Sequence, residues 1–354
     1  MSKVFYKSLG KTQTWPDLYQ INPSSLTYDD VLLLPQNSDI NSRSEINTTV
    51  AFGPYKLTTP IIAAPMDTVV GEKMARELAR LGAIAAMPRE NIGEKAKICK
   101  KLSNEDIPCV YSVGIKNGFE DAKLLKQNGA KIILVDTAHG GLSSLTELAL
   151  KIKKKLKVYV IAGNIVSYNQ ALSYKKLGIN MARVGVGAGG TCITRLVAGS
   201  GFPQLASLFE TTSAGIPVIA DQAIRKPADL AKAIAAGAVV AMIGSIFGGT
   251  DETPGKVING KKIVRGQASI TYMKDNGVLE SKFRAAEGVT TTVNVKGPVE
   301  NVVEQLMAGL RSAMSYSGAK TIKEFQKKAI FVKVSRATLN ENIPWLEGTK
   351  VTHI

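Results

Sequence analysis

A repeated strand–helix pattern predicts that this chain of 354 residues folds as a closed (β/α)8 barrel, the TIM-barrel form of α/β protein. Eight short apolar runs are each followed by a Gly- or Asp-rich break and then by an amphipathic helix. Their starts lie roughly 20 to 36 residues apart, which is room for one strand and one crossover helix. The predicted strands are Ile61–Ala64, Ala83–Met87, Cys109–Val113, Lys131–Val135, Val158–Ala162, Met181–Val186, Pro217–Ala220 and Val239–Ile243.

An open doubly wound sheet is the alternative architecture, and it requires a glycine fingerprint after the first strand. That position reads APMDTVV, with neither G-x-G-x-x-G nor a Walker lysine, so the barrel is favoured. We expect a single domain, with the barrel over about residues 59–335. The residues before about Thr59 form an N-terminal extension in which TYDDVLLLP is a capping strand or turn.

The segment after the eighth strand carries the remaining predicted elements. Gly248–Gly266 contains an Asn-Gly hairpin turn, NGKK, flanked by Val-Ile and Ile-Val. A polar flap over about residues 266–292 follows it. The chain then continues with C-terminal elements, predicted as an amphipathic helix at Val299–Tyr316, a short helix at Thr321–Ala329 and a strand at Phe331–Val334.

Composition excludes several classes of protein. With 45% hydrophobic residues and 32 glycines, the chain is neither disordered nor collagen-like. It has no run of eighteen uncharged apolar residues, so no membrane span is expected. The N-terminal stretch MSKVFYKSLGKTQTW lacks the apolar centre of a signal peptide, which predicts a cytoplasmic protein.

The chain has 45 Lys and Arg against 29 Asp and Glu, a net charge of +16. Nucleic acid, an acidic membrane surface and small anionic substrates are all compatible with that charge. The basic residues are dispersed, and the densest run, Lys151–Lys157, is typical of a solvated helix end. Neither zinc-finger spacing nor an aromatic RNA-binding signature accompanies it, so nucleic acid is not an expected partner.

Three cysteines are an odd number and argue against a disulfide framework. Cys99 in a Lys-rich helix and Cys109 at a strand start are interpreted as structural. Cys192 stands in the glycine-rich loop GVGAGGTCITR and is the candidate nucleophile. Two histidines, His139 and His353, are too few for a histidine metal site.

Active sites of such barrels lie at the carboxyl ends of the strands. That rule collects a set of polar and glycine residues: Asp67, Asp136, Gly163 with Asn164, the loop Gly185–Arg195, Asp221, and Gly244 with Ser245. Glycines in the loop allow backbone N–H groups to approach a ligand. The segment GSIFGG after the eighth strand is a candidate phosphate cradle.

Eight stretches between about Thr27 and Pro344 form a distinctive set: YDDVLLLP, NSRSEINTTV, APMDTVVGEKMA, VDTAHGG, IAGNIVS, GVGAGGTCITRLVAGSGFPQ, IGSIFGGTDETPG and KGPVENVVEQLMAGLRSAMSYSGAKTI. Together they resemble the corresponding segments of the IMP dehydrogenase/GMP reductase family. No regulatory CBS pair interrupts the barrel between Ile92 and Cys109, where many dehydrogenases of the family carry one. Such a compact chain is the rule in GMP reductases and occurs occasionally in dehydrogenases.

The resemblance implies that Cys192 attacks C2 of a purine nucleoside monophosphate and forms a thioimidate. A dehydrogenase of the family passes hydride from IMP to NAD and hydrolyses the adduct to XMP. A reductase expels ammonia from GMP and takes hydride from NADPH to give IMP. In a reductase, Thr194 and Glu287 would act on the leaving ammonia, as a hydroxyl and a carboxylate suited to proton transfer.

The flap sequence favours the reductase. Dehydrogenases carry an Arg-Tyr pair there, whereas this chain reads FRAAEG, similar to the reductase YRAAEG. IMP dehydrogenase stays as the alternative, because the tail SRATLNENIP resembles a bacterial dehydrogenase. A purine-binding paralogue with an altered phosphate site is a third reading, since Gln222-Ala223, Val264 and Gln267 depart from the family pattern.

The resemblance also assigns ligand-binding residues. Met66 stacks on the base, Asp221 binds ribose hydroxyls and Gly244 with Ser245 binds phosphate; the substrate set further contains Asn164, Gly189, Gly190, Gln267 and Ser269. The cofactor, NADPH or NAD, is expected at Asp136, Ala138 and Arg284. The family also implies a homotetramer and K⁺ bound by the carbonyls of Gly185, Gly187 and Cys192.

Overall fold

The computed structural model describes residues 26–277 and 285–341. Its strands are β1 (Val31–Leu33), β2 (Val50–Phe52), β3 (Tyr55–Leu57), β4 (Ile61–Ala63), β5 (Ile84–Met87), β6 (Cys109–Val113), β7 (Ile132–Asp136), β8 (Tyr159–Ile165), β9 (Met181–Val184), β10 (Val218–Asp221), β11 (Val240–Ile243), β12 (Lys261–Arg265), β13 (Thr290–Asn294) and β14 (Phe331–Lys333). Its helices are α1 (Glu72–Arg80), α2 (Ile92–Asn104), α3 (Gly118–Gln127), α4 (Ser143–Leu156), α5 (Tyr168–Leu177), α6 (Thr194–Val197), α7 (Gln204–Ser213), α8 (Pro227–Ala235), α9 (Ile270–Asp275), α10 (Val299–Tyr316), α11 (Ile322–Lys328) and α12 (Arg336–Glu341).

Strands β4 to β11 form a closed parallel barrel in chain order, and β11 pairs with β4 to complete it. The predicted eight-stranded barrel is therefore confirmed. Two strand ends differ from the prediction by two or three residues. Strand β8 continues to Ile165, and β9 ends at Val184 because the backbone turns at Gly185, where φ is 141°.

The core lies inside the barrel and between its strands and helices. Every residue of β4, β5, β6, β7 and β11 is buried, as continuous apolar runs in a parallel sheet require. Helix α8 begins with Pro227 at its first turn, where a missing N–H costs nothing, and buries Leu230 and Ile234. Burial of one such side chain contributes about 1.5–3 kcal/mol.

The N-terminal extension closes against the end of the chain. Residues 28–30 form a 3-10 turn, begun by a capping box between Thr27 and Asp30, and β1 follows it. Strand β1 pairs antiparallel with β14, with Leu32 opposite Val332. The strand predicted within TYDDVLLLP and the predicted C-terminal strand thus pair with each other in one small sheet.

The predicted hairpin after the eighth strand needs a correction. Asn259 and Gly260 do form the tight turn, with φ values of 49° and 70°, and Ile258 bridges Lys261. The pairing stops there, because β12 pairs over five residues with β13 instead. Strand β13 begins at the end of the predicted flap, so the flap is held between two paired strands.

The compact path expected between Ile92 and Cys109 is present as helix α2 and a turn. Among the helices in the described ranges, none is both long and apolar enough to cross a bilayer. Lys153–Lys155 stand in the last turn of α4, where positive charge is favourable toward the helix dipole.

Candidate active site

Cys192 lies half-buried in the loop after β9, at the carboxyl end of the barrel. Its Sγ is 3.1 Å from the hydroxyl oxygen of Thr194. The N–H of Cys192 donates to the carbonyl of Gly189 at 3.0 Å, which closes a tight turn under the thiol. The predicted nucleophile and its predicted hydroxyl partner are therefore in contact.

Glycine is required where this loop crosses the barrel mouth. At Gly185, φ is 141°, and a Cβ there would lie 2.1 Å from the carbonyl oxygen of Asp221. A Cβ at Gly190 would lie 2.7 Å from the hydroxyl oxygen of Ser245. Side chains at these positions would push the loop away from β10 and from the phosphate-cradle segment.

The flap is joined to this loop by backbone hydrogen bonds. The N–H of Ile193 donates to the carbonyl of Glu287 at 2.8 Å, and the N–H of Val289 donates to the carbonyl of Thr191 at 2.9 Å. Gly288 forms a bridge with Cys192. The structure thus brings the backbone of Glu287 beside the Cys192 loop, although 95 residues of chain separate Glu287 from Cys192.

The predicted substrate residues converge from several loops. A Cβ at Gly244 would meet the sulfur of Met66 at 2.7 Å, and one at Gly189 would meet the Cβ of Cys192 at 3.3 Å. The side-chain amide of Gln267 donates to the carbonyl of Pro65 at 2.7 Å, next to Met66. The hydroxyl of Ser269 instead caps helix α9, so its role toward substrate stays a prediction.

A buried layer of charged groups supports the loop from below. Asn164 donates through Nδ2 to Asp221 at 2.7 Å and to the carbonyl of Gly185 at 2.6 Å. Arg183 donates to Asp221 at 2.9 Å and forms an ion pair with Asp136 on its other side. Burial raises the pKa of Asp221, although Arg183 and Asn164 act to lower it.

Arg183 was missed by sequence reasoning. Burial acts to lower its pKa, but Asp221 and Asp136 outweigh it, and the pKa is raised. The signal was available, because an arginine inside the apolar strand MARV needs a buried acid partner. Its two partners, however, lie 47 residues before it and 38 residues after it.

Asp136 keeps one free oxygen in this layer. Its Oδ2 is buried and has no hydrogen-bond partner within the described ranges. The guanidinium of Arg89 contacts its carbonyl at 3.3 Å. Ala138 is exposed two residues further on, and Arg284, the third predicted cofactor residue, lies outside the described residues. A buried acceptor beside an arginine fits the ribose hydroxyls of a dinucleotide.

A second ion cluster fixes the base of the flap. Arg265, the last residue of β12, donates to Asp67 at 3.0 Å and pairs with Asp275 at the end of α9. These hydrogen bonds raise the pKa of Arg265. Asp67 was expected at the site, but its partner is 198 residues away, and no local pattern indicates it.

The expected K⁺ site would consist of backbone carbonyls at the Cys192 loop. Within residues 26–277 and 285–341, no three His, Cys, Asp or Glu side chains gather as a metal centre would require. The K⁺ prediction uses backbone carbonyls instead. The carbonyl of Gly185 already accepts a hydrogen bond from Asn164, while its second lone pair stays available.

The chain is a (β/α)8 barrel with a half-buried cysteine among its carboxyl-end loops, and it is an oxidoreductase, as are the members of the family whose model it matches. The chain belongs to the IMP dehydrogenase/GMP reductase family, because the family's sequence model, described as the IMP dehydrogenase / GMP reductase domain, matches residues 25–345.

Individual relatives carry both names. The chain is 33% identical to an inosine-5'-monophosphate dehydrogenase of Cryptosporidium parvum, over 90% of this chain and 94% of that one. It is 32% identical to a GMP reductase of Caenorhabditis elegans, over 92% and 96% of the two chains. A crystal structure of a cysteine-to-alanine variant of GMP reductase from Trypanosoma brucei, in complex with guanosine 5'-monophosphate, superposes with a TM-score of 0.87 at 28% identity, covering 93% of this chain and 98% of that chain.

Proposed function

We propose that this chain is a GMP reductase that converts GMP, NADPH and a proton into IMP, ammonia and NADP⁺. The sulfur of Cys192 attacks C2 of the purine, and the C2–N bond to the amino group breaks as ammonia leaves. A hydride then adds to C2, and the C2–S bond breaks to release IMP and the thiolate. The net reaction reduces the purine by two electrons and oxidises NADPH.

The observation that carries this proposal is the grouping of Cys192, Thr194 and the backbone of Glu287. The thiol lies 3.1 Å from the Thr194 hydroxyl, and Ile193 between them is hydrogen-bonded to Glu287. A hydroxyl in contact with the nucleophile, and a carboxylic acid whose backbone is hydrogen-bonded to the same loop, are groups that can move protons to a departing amine. Thr194 would donate a proton to the amino group, and Glu287 would then reprotonate the Thr194 hydroxyl.

Other residues would hold the nucleotide. Asp221, oriented by Asn164 and Arg183, offers a carboxylate to the ribose hydroxyls. Met66 lies against Gly244, where its sulfur can pack on the purine face. We assign binding of the phosphate to the hydrogen-bond donors of Gly189, Gly190, Gly244 and Ser245. From the flap, Gln267 and Ser269 would also contact the nucleotide.

The same proposal places NADPH on the Asp136 side. The unpartnered Oδ2 of Asp136 would accept a ribose hydroxyl, Ala138 would line the approach, and Arg284 would face a phosphate. The cofactor, when bound, supplies the hydride. The net charge of +16 favours the additional phosphate of NADPH over NADH.

IMP dehydrogenase is the second candidate. The dehydrogenase of Cryptosporidium parvum is as similar to this chain as the reductases are, and it covers 90% of it. That activity would require hydrolysis of the adduct. Between Gln267 and Glu287 the sequence has Arg284 as its one arginine and lacks the Arg-Tyr pair that activates water in dehydrogenases, so the reductase is favoured.

Absorbance at 340 nm separates the two activities. When purified protein is mixed with GMP and NADPH, the absorbance at 340 nm should fall. When it is mixed with IMP and NAD, the absorbance should not rise. A gain of absorbance with IMP and NAD would establish the dehydrogenase and contradict the flap argument. Conversion of guanosine monophosphate should be confirmed by chromatography of IMP and by an ammonia assay.

Three expectations belong to the same proposal. The protein is cytoplasmic and assembles as a homotetramer, to which Leu196, 85% exposed beside the Cys192 loop, would contribute an apolar contact. K⁺ binds the carbonyls of Gly185, Gly187 and Cys192. Light scattering tests the tetramer, and turnover in KCl compared with LiCl tests the ion.

A further inference from the structure

Gln222 follows β10 directly, and its side chain lies against the Cys192 loop. The N–H of Ala188 donates to its Oε1 at 2.7 Å. A Cβ at Gly189 would lie 3.7 Å from the Cδ of Gln222 and 3.3 Å from the Cβ of Cys192. The amide of Gln222 therefore borders the same space as the thiol, with Gly189 between them.

The hydrogen bond from Ala188 fixes which way this amide faces. Only the oxygen of a glutamine amide can accept an N–H, so the NH2 group must point away from Ala188. That NH2 group has no acceptor in the described part of the chain. A half-buried donor held in one orientation without an acceptor is suited to a ligand.

The backbone under this side chain is unusual for the residues that occupy it. Gln222 has φ of 82° and Ala223 has φ of 58°, values at which glycine is unstrained and other residues are not. A chain selected only for stability would use glycine at position 222. The strained backbone therefore points to a use for the Gln222 side chain.

Hydrogen-bond donors lie around this space, and the carboxylate of the preceding residue, Asp221, is paired with Asn164 and Arg183. The hydroxyl of Ser245 reaches within 2.7 Å of the Cβ position of Gly190. The backbone N–H groups of Gly190 and Ser245 have no acceptor among the residues that the structure describes. Donors gathered without acceptors favour an anion, and neutral donors of this kind commonly bind phosphate.

We propose that Gln222 is a binding residue for the 5′-phosphate of the substrate, its NH2 group donating to a phosphate oxygen while its Oε1 stays on Ala188. The inference rests on the proposed function, which supplies a purine nucleotide as the ligand. Gln222 and Ser245 then approach the phosphate from two loops. This contact makes Gln222 a determinant of the preference for nucleotide over nucleoside.

Calorimetric titration of the full chain with GMP and with guanosine tests the contact. Gln222→Gly removes the side chain, and we expect the Kd for GMP to rise about tenfold or more, as for a lost hydrogen bond to a charged group. Gln222→Glu keeps an oxygen for Ala188 but replaces the donor by a carboxylate, so its Kd for GMP should rise further. The Kd of Gln222→Gly for guanosine should equal that of the wild type.

Ala223→Gly is the matched control, because it relieves the same backbone conformation without touching the amide, and it should leave both Kd values unchanged. The Tm of Gln222→Gly should not fall, since glycine tolerates φ of 82°. Equal losses for GMP and guanosine, or an unchanged Kd for GMP, would overturn the proposal. If the protein bound GMP but did not turn it over with NADPH, the proposed reaction would be contradicted. The Kd values for GMP and guanosine would still decide whether Gln222 contacts the phosphate.

Discussion

Each end of the barrel carries a cysteine, and the two cysteines differ in burial and in their polar neighbours. Cys109 begins β6 at the amino end, is 1% exposed and donates to the carbonyl of Ala85 at 3.3 Å. Burial raises its pKa to about 12. Cys192 at the carboxyl end is half-buried in a loop and contacts the hydroxyl of Thr194.

The groups around the two thiols also differ between the ends of the barrel. The cavity at the amino end, lined by Cys109, Tyr111 and Tyr55 among others, measures about 10 Å³, room for one water at most. At the carboxyl end, the buried oxygens Asp136 Oδ2 and Asn164 Oδ1 lack partners among the described residues. Buried polar oxygens without partners beside an open loop, rather than the residue type, distinguish the carboxyl end from the amino end.

Replacement of Cys192 should produce the largest effect. Cys192→Ala removes the proposed nucleophile, so turnover should fall by about a thousandfold or more, as is typical when a covalent catalyst is lost. The decrease in NADPH absorbance measures it. Retained turnover would show that Cys192 is not the nucleophile.

Loss of Arg183 should have the next largest effect, on stability. Arg183→Met leaves Asp136 and Asp221 buried without their cation, which costs about 3–5 kcal/mol. Urea unfolding measures the difference. A loss below about 1 kcal/mol would show that water enters this layer and that the carboxyl end is less dry than the structure indicates.

Lys95 should make the stability of the protein depend on pH. It is 3% exposed, donates to the carbonyls of Pro88 and Ser112, and burial lowers its pKa from 10.5 to about 8. The folded state therefore binds fewer protons than the unfolded state between pH 8 and 10.5, and stability rises with pH in that window. The whole contribution is about 3 kcal/mol at most.

Lys95→Met should lack this rise. The difference in unfolding free energy between wild type and variant, measured by urea at pH 7.5 and pH 9.5, should shift in favour of the wild type at the higher pH. A constant difference would show that Lys95 titrates at its ordinary pKa.

Cys109→Ala should have the smallest effect and complete the comparison. The smaller side chain leaves a minor cavity in the core, so stability should fall by about 1 kcal/mol. Turnover and the KM for GMP should match the wild type, and iodoacetamide should label native wild-type protein at Cys192 ahead of Cys99 and Cys109. A changed KM would mean that the amino end influences the site.

Local pattern was enough to predict the barrel and much of its site. Buried parallel strands read as short apolar runs, and the fold rule then sends every strand-end polar residue to one face. Cys192, Asn164 and Asp221 were found in this way, and the structure brings them to one end of the barrel. The functional roles of these residues stay predictions until the experiments above are done.

The tertiary structure alone decided which distant groups meet. The sequence contains a good hairpin turn at Asn259-Gly260, yet β12 pairs with β13, because five paired residues outweigh a single bridge. Arg183 links two acids from different strands, Arg265 reaches Asp67 across 198 residues, and the amide of Gln222 faces the thiol loop. Periodicity and turn residues report local backbone preference, whereas these contacts depend on how barrel closure aligns the strands, and that information is spread over the whole chain.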